Sequence, residues 1–91
     1  MELEGKVGVI TGAASGIGAA CAEAFARAGC QVAVVDVNLE GATEVADTIG
    51  GIAIHCDLSD PSAIDAMVKQ VETHLGPVDL LFNNAGIGSG S

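Results

Sequence analysis

The sequence predicts an α/β fold built on a doubly wound parallel sheet, and three observations carry that reading. Short apolar runs alternate with helical stretches in strict β-α-β-α-β-α-β order. Such alternation means parallel strands, right-handed crossovers and helices on both faces of the sheet. The stretch from Lys6 to Gly18, KVGVITGAASGIG, passes from a β-branched run through a glycine turn straight into a helix-forming run. Finally, 49% of the residues are hydrophobic but only 2% are aromatic. The core must therefore be made of Val, Ile, Leu and Ala, as buried parallel sheets usually are. The expected strand order is 3-2-1-4, which is half or slightly more of a dinucleotide-binding fold, with ligand over the strand carboxyl ends beside the switch point between strands one and four.

Each element has its own signal. Val7, Val9 and Ile10 mark strand one, and AACAEAFARA behind Gly18 marks a helix that Gly29 stops. Gln31–Asp36, QVAVVD, reads as a fully buried second strand. A second helix is expected from about Leu39 to Ile49, closed by Gly50-Gly51, and Ile52–His55 forms strand three. Asp60-Pro61 starts the third helix with an N-cap and a proline in its first turn, and Ile64, Met67, Val68 and Val71 share one face. Gly76-Pro77 ends it, and Val78–Phe82 is strand four, leading into Asn83-Asn84-Ala85-Gly86. Residues 1–87 are read as one incomplete β-α unit and 88–91, Gly-Ser-Gly-Ser, as a linker-like tail expected to be disordered.

Twelve acidic residues against three basic ones leave a net charge of −9. Nucleic acid is an unsuitable partner, because Lys and Arg contacts to phosphate supply most of that affinity, and anionic membranes are disfavoured for the same reason. The acidic start MELEGK is unlike a signal peptide, and no run of eighteen apolar residues free of turn formers is present, so a cytoplasmic location is expected. Cys21, Cys30 and Cys56 lack CxxC spacing and read as reduced structural thiols. His55 and His74 are too far apart in sequence for a local metal pair.

The glycine turn reads as a nucleotide cradle. Glycines allow the backbone close to an anion, and the helix behind them offers unpaired N–H groups and the positive end of its dipole. A turn built for packing alone is the alternative. The spacing is TGxxxGIG rather than G-x-G-x-x-G, since Cys21 occupies the third glycine position, and a Walker A loop is excluded because no Gly-Lys-Ser or Gly-Lys-Thr occurs. Gly16 and Gly18 are read as permitting phosphate approach, so Gly18→Val is expected to weaken binding far more than it lowers the melting temperature. Asp36 ends strand two, where a carboxylate accepts hydrogen bonds from an adenosine ribose. A 2′-phosphate there would meet negative charge, and neither Ser15 nor Val37 supplies a cation, so NAD is the expected cofactor. Asp57 is suited to receive the adenine amino group with the Leu58 backbone donating to the ring, or else to serve as a turn or cap residue. Asn83 and Asn84 are suited to tie neighbouring backbones together near a ribose, or are purely structural.

TGAASGIG, Asp36, the Cys56-Asp57-Leu58-Ser59 turn and NNAG, in this order and on these elements, resemble the short-chain dehydrogenase/reductase family from about Leu3 to Ile87. The resemblance implies a Rossmann-fold oxidoreductase that moves hydride between a nicotinamide and a small hydroxyl or carbonyl substrate, homo-oligomeric when whole. By the same resemblance Gly12, Ser15, Gly16, Ile17 and Gly18 would wrap the pyrophosphate and Asp36 would take the ribose. Asp57 and Leu58 would take the adenine, and Asn84, Ala85 and Gly86 would approach the nicotinamide ribose, with Thr11 bracing the NNAG turn. The family's acid/base tyrosine, its lysine partner and its catalytic serine lie downstream of NNAG, and this chain contains no tyrosine. The chain is therefore read as the cofactor-binding N-terminal portion of a longer enzyme, inactive alone and without catalytic or metal-ligating residues of its own. Two other readings stay open: a non-catalytic nucleotide-binding or interaction module, and an S-adenosylmethionine methyltransferase, which TGxxxGIG and NNAG disfavour.

Overall fold

A computed structural model describes residues 3–84. Its elements are β1 (Val7–Thr11), α1 (Gly16–Arg27), β2 (Gln31–Asp36), α2 (Leu39–Ile49), β3 (Ile52–His55), α3 (Pro61–His74) and β4 (Leu80–Asn83). The sheet order is β3-β2-β1-β4 and every pairing is parallel, as the alternation of elements requires. The tail 88–91 and the end of the NNAG turn, Ala85 and Gly86, lie outside the described residues.

Side chains alternate across the sheet and so divide the core in two. Val7, Val9, Ala33, Val35, Ile54 and Cys56 pack with Met67 and Val71 of α3 on one face. Ile10, Val32 and Val34 pack with Ala22 of α1 and with Ala42 and Ala46 of α2 on the other. β2 is buried on both faces because helices cover both. The expected stripe of α3 is the one that docks: Met67 and Val71 are buried, with Ile64 and Val68 packed beside them. Burying each such side chain is worth about 1.5–3 kcal/mol, which is what holds α3 against its face of the sheet. Small residues set the other layer. Ala22, Ala42 and Ala46 are at most 2% exposed, and the lack of bulk there brings α1 and α2 close to the sheet.

The helix ends follow local chemistry. Gly50 closes α2 in the left-handed region, at φ 74°, where residues with a Cβ are strained. Asn38 caps α2 by accepting the Gly41 N–H, and Asp60 caps α3 by accepting the Ser62 N–H. The Ser62 hydroxyl also donates to Asp60 at 2.8 Å, and together these bonds lower the Asp60 pKa. A carboxyl lowered on folding stabilises the native state above the ordinary aspartate range and loses that effect as pH falls through its folded value. Asp60→Ala should accordingly lower the melting temperature at neutral pH and leave it nearly unchanged in strong acid. Thermal melts of the two proteins from pH 7 down to pH 2 check this, and an undiminished difference at the acid end contradicts it.

β4 begins two residues later than the sequence suggests. Asp79 explains the shift: its N–H donates to the Val7 carbonyl at 2.9 Å, and its Oδ2 accepts the Val7 N–H at 2.9 Å. A side chain thus takes over the first rung, and the strand ladder starts at Leu80 opposite Gly8. At the far end the ladder extends past Phe82 to Asn83, which stands in register with Thr11. Among the described residues no helix is long and apolar enough to cross a membrane.

Candidate cofactor site

The carboxyl ends of the strands converge at one edge of the sheet. Between β1 and α1 the chain turns through Gly12, at φ 64°, and Gly16, at φ 66°. Ser15, the residue before α1, is extended and its side chain makes no cap bond, and no acidic residue stands in the first turn. α2 and α3, by contrast, have side-chain caps. A Cβ built on Gly16 would meet nothing within 4 Å, and Ile17 is 66% exposed. The start of α1 at Gly16 and Ile17 therefore faces open space without a side-chain cap from Ser15, which suits the positive end of a helix to an anion.

Gly18 has a different duty. A Cβ there would press on the Gly12 carbonyl oxygen and lie 2.8 Å from Asn84 Nδ2 and 2.9 Å from Ala13 Cα. Its missing side chain lets α1 close onto the β1 turn, so Gly18 has a packing duty in addition to the phosphate approach expected of it.

The end of β4 is tied to that same turn. Thr11 Oγ1, 2% exposed, donates to Asn83 Oδ1 at 2.7 Å. Asn84 Nδ2 donates to the Gly12 carbonyl at 3.1 Å. The bracing role for Thr11 is thus present in the fold through Asn83, and the backbone-tying role is taken by Asn84.

Asp36 ends β2 with both carboxylate oxygens engaged. Oδ2 accepts the Ala14 N–H at 3.0 Å and Oδ1 accepts the Asn38 N–H at 3.0 Å. Each carboxylate oxygen accommodates about two acceptor bonds, so this clamp orients the group and leaves capacity for further donors. Beside it lies a cleft of about 220 Å³ lined by Gly12, Asp36, Val37, Cys56, Asp57, Leu58 and Ser59.

Asp57 uses one oxygen locally. Its Oδ1 accepts both the Ser59 N–H, at 3.0 Å, and the Ser59 hydroxyl, at 2.7 Å. These bonds, with a smaller contribution from His55, hold its carboxyl below the usual range. The turn role is therefore real, and it aims the residue at the cleft. Cys56 is buried in the floor, and burial raises its thiol pKa, with Asp57 and Asp60 adding to the effect. It is a protonated packing residue, as Cys30 is. No group of His, Cys, Asp and Glu among the described residues could hold a metal ion.

A larger hollow, about 340 Å³, lies between the carboxyl-terminal parts of α1 and α2, lined by Glu23, Ala26, Arg27, Thr48 and Ile49. It shares none of its lining with the residues at the carboxyl ends of the strands. The strand-end cleft is the better site because it joins an oriented carboxylate to the glycine turn.

A parallel 3-2-1-4 sheet with a glycine turn after its first strand, an acid closing its second and amides closing its fourth defines a Rossmann-type α/β unit. The short chain dehydrogenase family profile matches residues 6–91, and the chain belongs to that family, whose members are oxidoreductases that bind a nicotinamide cofactor. It is 43% identical over 91 residues to a D-threitol dehydrogenase of Mycolicibacterium smegmatis, covering 94% of this chain and 35% of that enzyme. A sorbitol dehydrogenase of Cereibacter sphaeroides is 45% identical over 89 residues, covering 96% of this chain and 35% of the relative. Among solved structures, a 3-ketoacyl-(acyl-carrier-protein) reductase from Brucella melitensis complexed with NADH superposes with a TM-score of 0.84 at 43% identity, over 87% of this chain and 34% of the other. The chain thus spans about a third of the length of the relatives it matches.

Proposed function

We propose that the chain forms the cofactor-binding portion of an NAD-dependent oxidoreductase that interconverts a small hydroxyl compound and its carbonyl form. The observation that carries this reading is the Asp36 carboxylate, clamped by the Ala14 and Asn38 amides at the cleft mouth. In that position it accepts the two hydroxyls of an adenosine ribose and repels a 2′-phosphate. Val37, 60% exposed, stands next to it without a cation to offset that repulsion. Gly12, Ser15, Gly16 and Ile17 would hold the pyrophosphate at the start of α1, while Asp57 and Leu58 would flank the adenine. Asn84, with Ala85 and Gly86 after it, would lead toward the nicotinamide ribose.

NAD supplies hydride-accepting chemistry when bound. The residues named here bind and orient it, and none is assigned a proton-transfer role. The naming of two relatives for sugar alcohols supports a hydroxyl-bearing substrate, and the NADH held by the reductase supports the unphosphorylated cofactor. Titration of the intact protein with NADH and NADPH, followed by nicotinamide fluorescence, should give the lower dissociation constant for NADH. Equal constants would remove the reading of Asp36.

A further inference from the structure

The first turn of α2 touches the glycine turn at Gly41. A Cβ built on Gly41 would lie 3.0 Å from Ala14 Cβ and 2.8 Å from Asn38 Nδ2. Its own N–H donates to Asn38 Oδ1 at 3.1 Å. Ala14 and Asn38 are also the residues whose amides hold the two Asp36 oxygens, each at 3.0 Å. One glycine therefore stands against the side chains of both residues whose backbone amides form the clamp.

We propose that Gly41 is a positioning residue for cofactor selectivity: its missing side chain lets α2 close on the glycine turn, so that the Ala14 and Asn38 amides can orient Asp36 toward the cofactor's ribose. The proposal rests on the reading of Asp36 as the ribose acceptor. A methyl group at position 41 must displace something. The helix behind it is anchored by Ala42 and Ala46, both buried, so the movement falls on Ala14 and on the Asn38 side chain, and through Ala14 on the turn whose N–H holds Asp36. Hydrogen bonds weaken steeply with misalignment, and a carboxylate released from either amide no longer presents a fixed edge to the cleft. NADH, which uses that edge, loses affinity. NADPH, which is repelled by it, does not.

The test measures dissociation constants of NADH and NADPH on the intact protein and on Gly41→Ala, Ala14→Val, Asp36→Asn and the double variant Gly41→Ala/Ala14→Gly. For Gly41→Ala, NADH binding should weaken about tenfold, the equivalent of one ordinary hydrogen bond, while NADPH binding stays the same. Removing the opposing methyl in the double variant should restore NADH binding. Ala14→Val tightens the same contact from the turn's side and should narrow selectivity in the same way, so the result does not depend on one variant folding. Equal weakening of both cofactors, or no rescue in the double variant, overturns the proposal. If Asp36→Asn leaves NADH binding intact, the ribose reading fails and takes the proposal with it. If Asp36→Asn weakens NADH binding but Gly41→Ala does not, only the role of Gly41 fails.

Discussion

Valine in place of Gly18 should destabilise the protein strongly, before any effect on a ligand is felt. The new Cβ would be driven into the Gly12 carbonyl and to within 3 Å of Ala13 Cα and Asn84 Nδ2. None of these can retreat cheaply. Ala13 is fully buried and its N–H is bonded to the Val35 carbonyl at 3.3 Å, while Asn84 is bonded to the very oxygen that would be displaced. Overpacking of this kind costs typically 1–3 kcal/mol and occasionally more. Contact with backbone rather than flexible side chains places Gly18 at the upper end, so a drop of roughly 10–20 °C in melting temperature is expected. Gly16→Ala is the contrasting variant. Space is open around position 16, and the cost there is the left-handed backbone at φ 66°, about 1–2 kcal/mol. Its larger consequence should be weaker cofactor binding, because relaxing that backbone re-aims the start of α1. Thermal melts read beside NADH titrations separate the two glycines. A Gly18→Val protein that melts like the parent yet fails to bind would reverse this assignment.

Exchange of Asp36 for alanine together with Val37 for arginine should shift the cofactor preference from NADH toward NADPH. The first change removes an acceptor pair that Ala14 and Asn38 hold in place. Hydrogen bonds to a charged group are worth about 1.5–3 kcal/mol, so NADH affinity should fall roughly 10- to 150-fold. The second change puts a guanidinium beside the cleft at a side chain already turned outward, where it can pair a 2′-phosphate through two parallel bonds. Stability should change little from the arginine, and modestly from the alanine, since two backbone N–H groups lose their partner at a site open to water. The ratio of the two dissociation constants is the measurement. A double variant that still prefers NADH by the parental factor would show that selectivity resides elsewhere.

Much of this was legible along the chain. Strand order followed from the alternation of elements, because consecutive parallel strands admit few topologies. The boundaries of β2, α2 and β3 followed from caps, glycines and an uninterrupted apolar run, all of which act within a few residues. Asp36 and the turn at Asp57 were visible because residue types with side-chain hydrogen-bonding groups stood at strand ends, while the Thr11 brace was legible only through the family resemblance. β4 was misplaced at its start because the residue responsible, Asp79, bonds across to Val7, 72 positions away, and an aspartate before a strand carries no local mark of such a partner.

Local pattern by itself determined the layered sheet, the position of the cleft and the residue types around it, since periodicity and capping depend only on neighbours in sequence. Tertiary structure alone decided which glycine is packed against protein and which is not. Gly16 and Gly18 are equivalent as letters, yet one faces open space and the other presses against Gly12 and Asn84. Tertiary structure also decided that Ala14 and Asn38 hold Asp36, since a backbone N–H is offered by nearly every residue and its partner is chosen by packing.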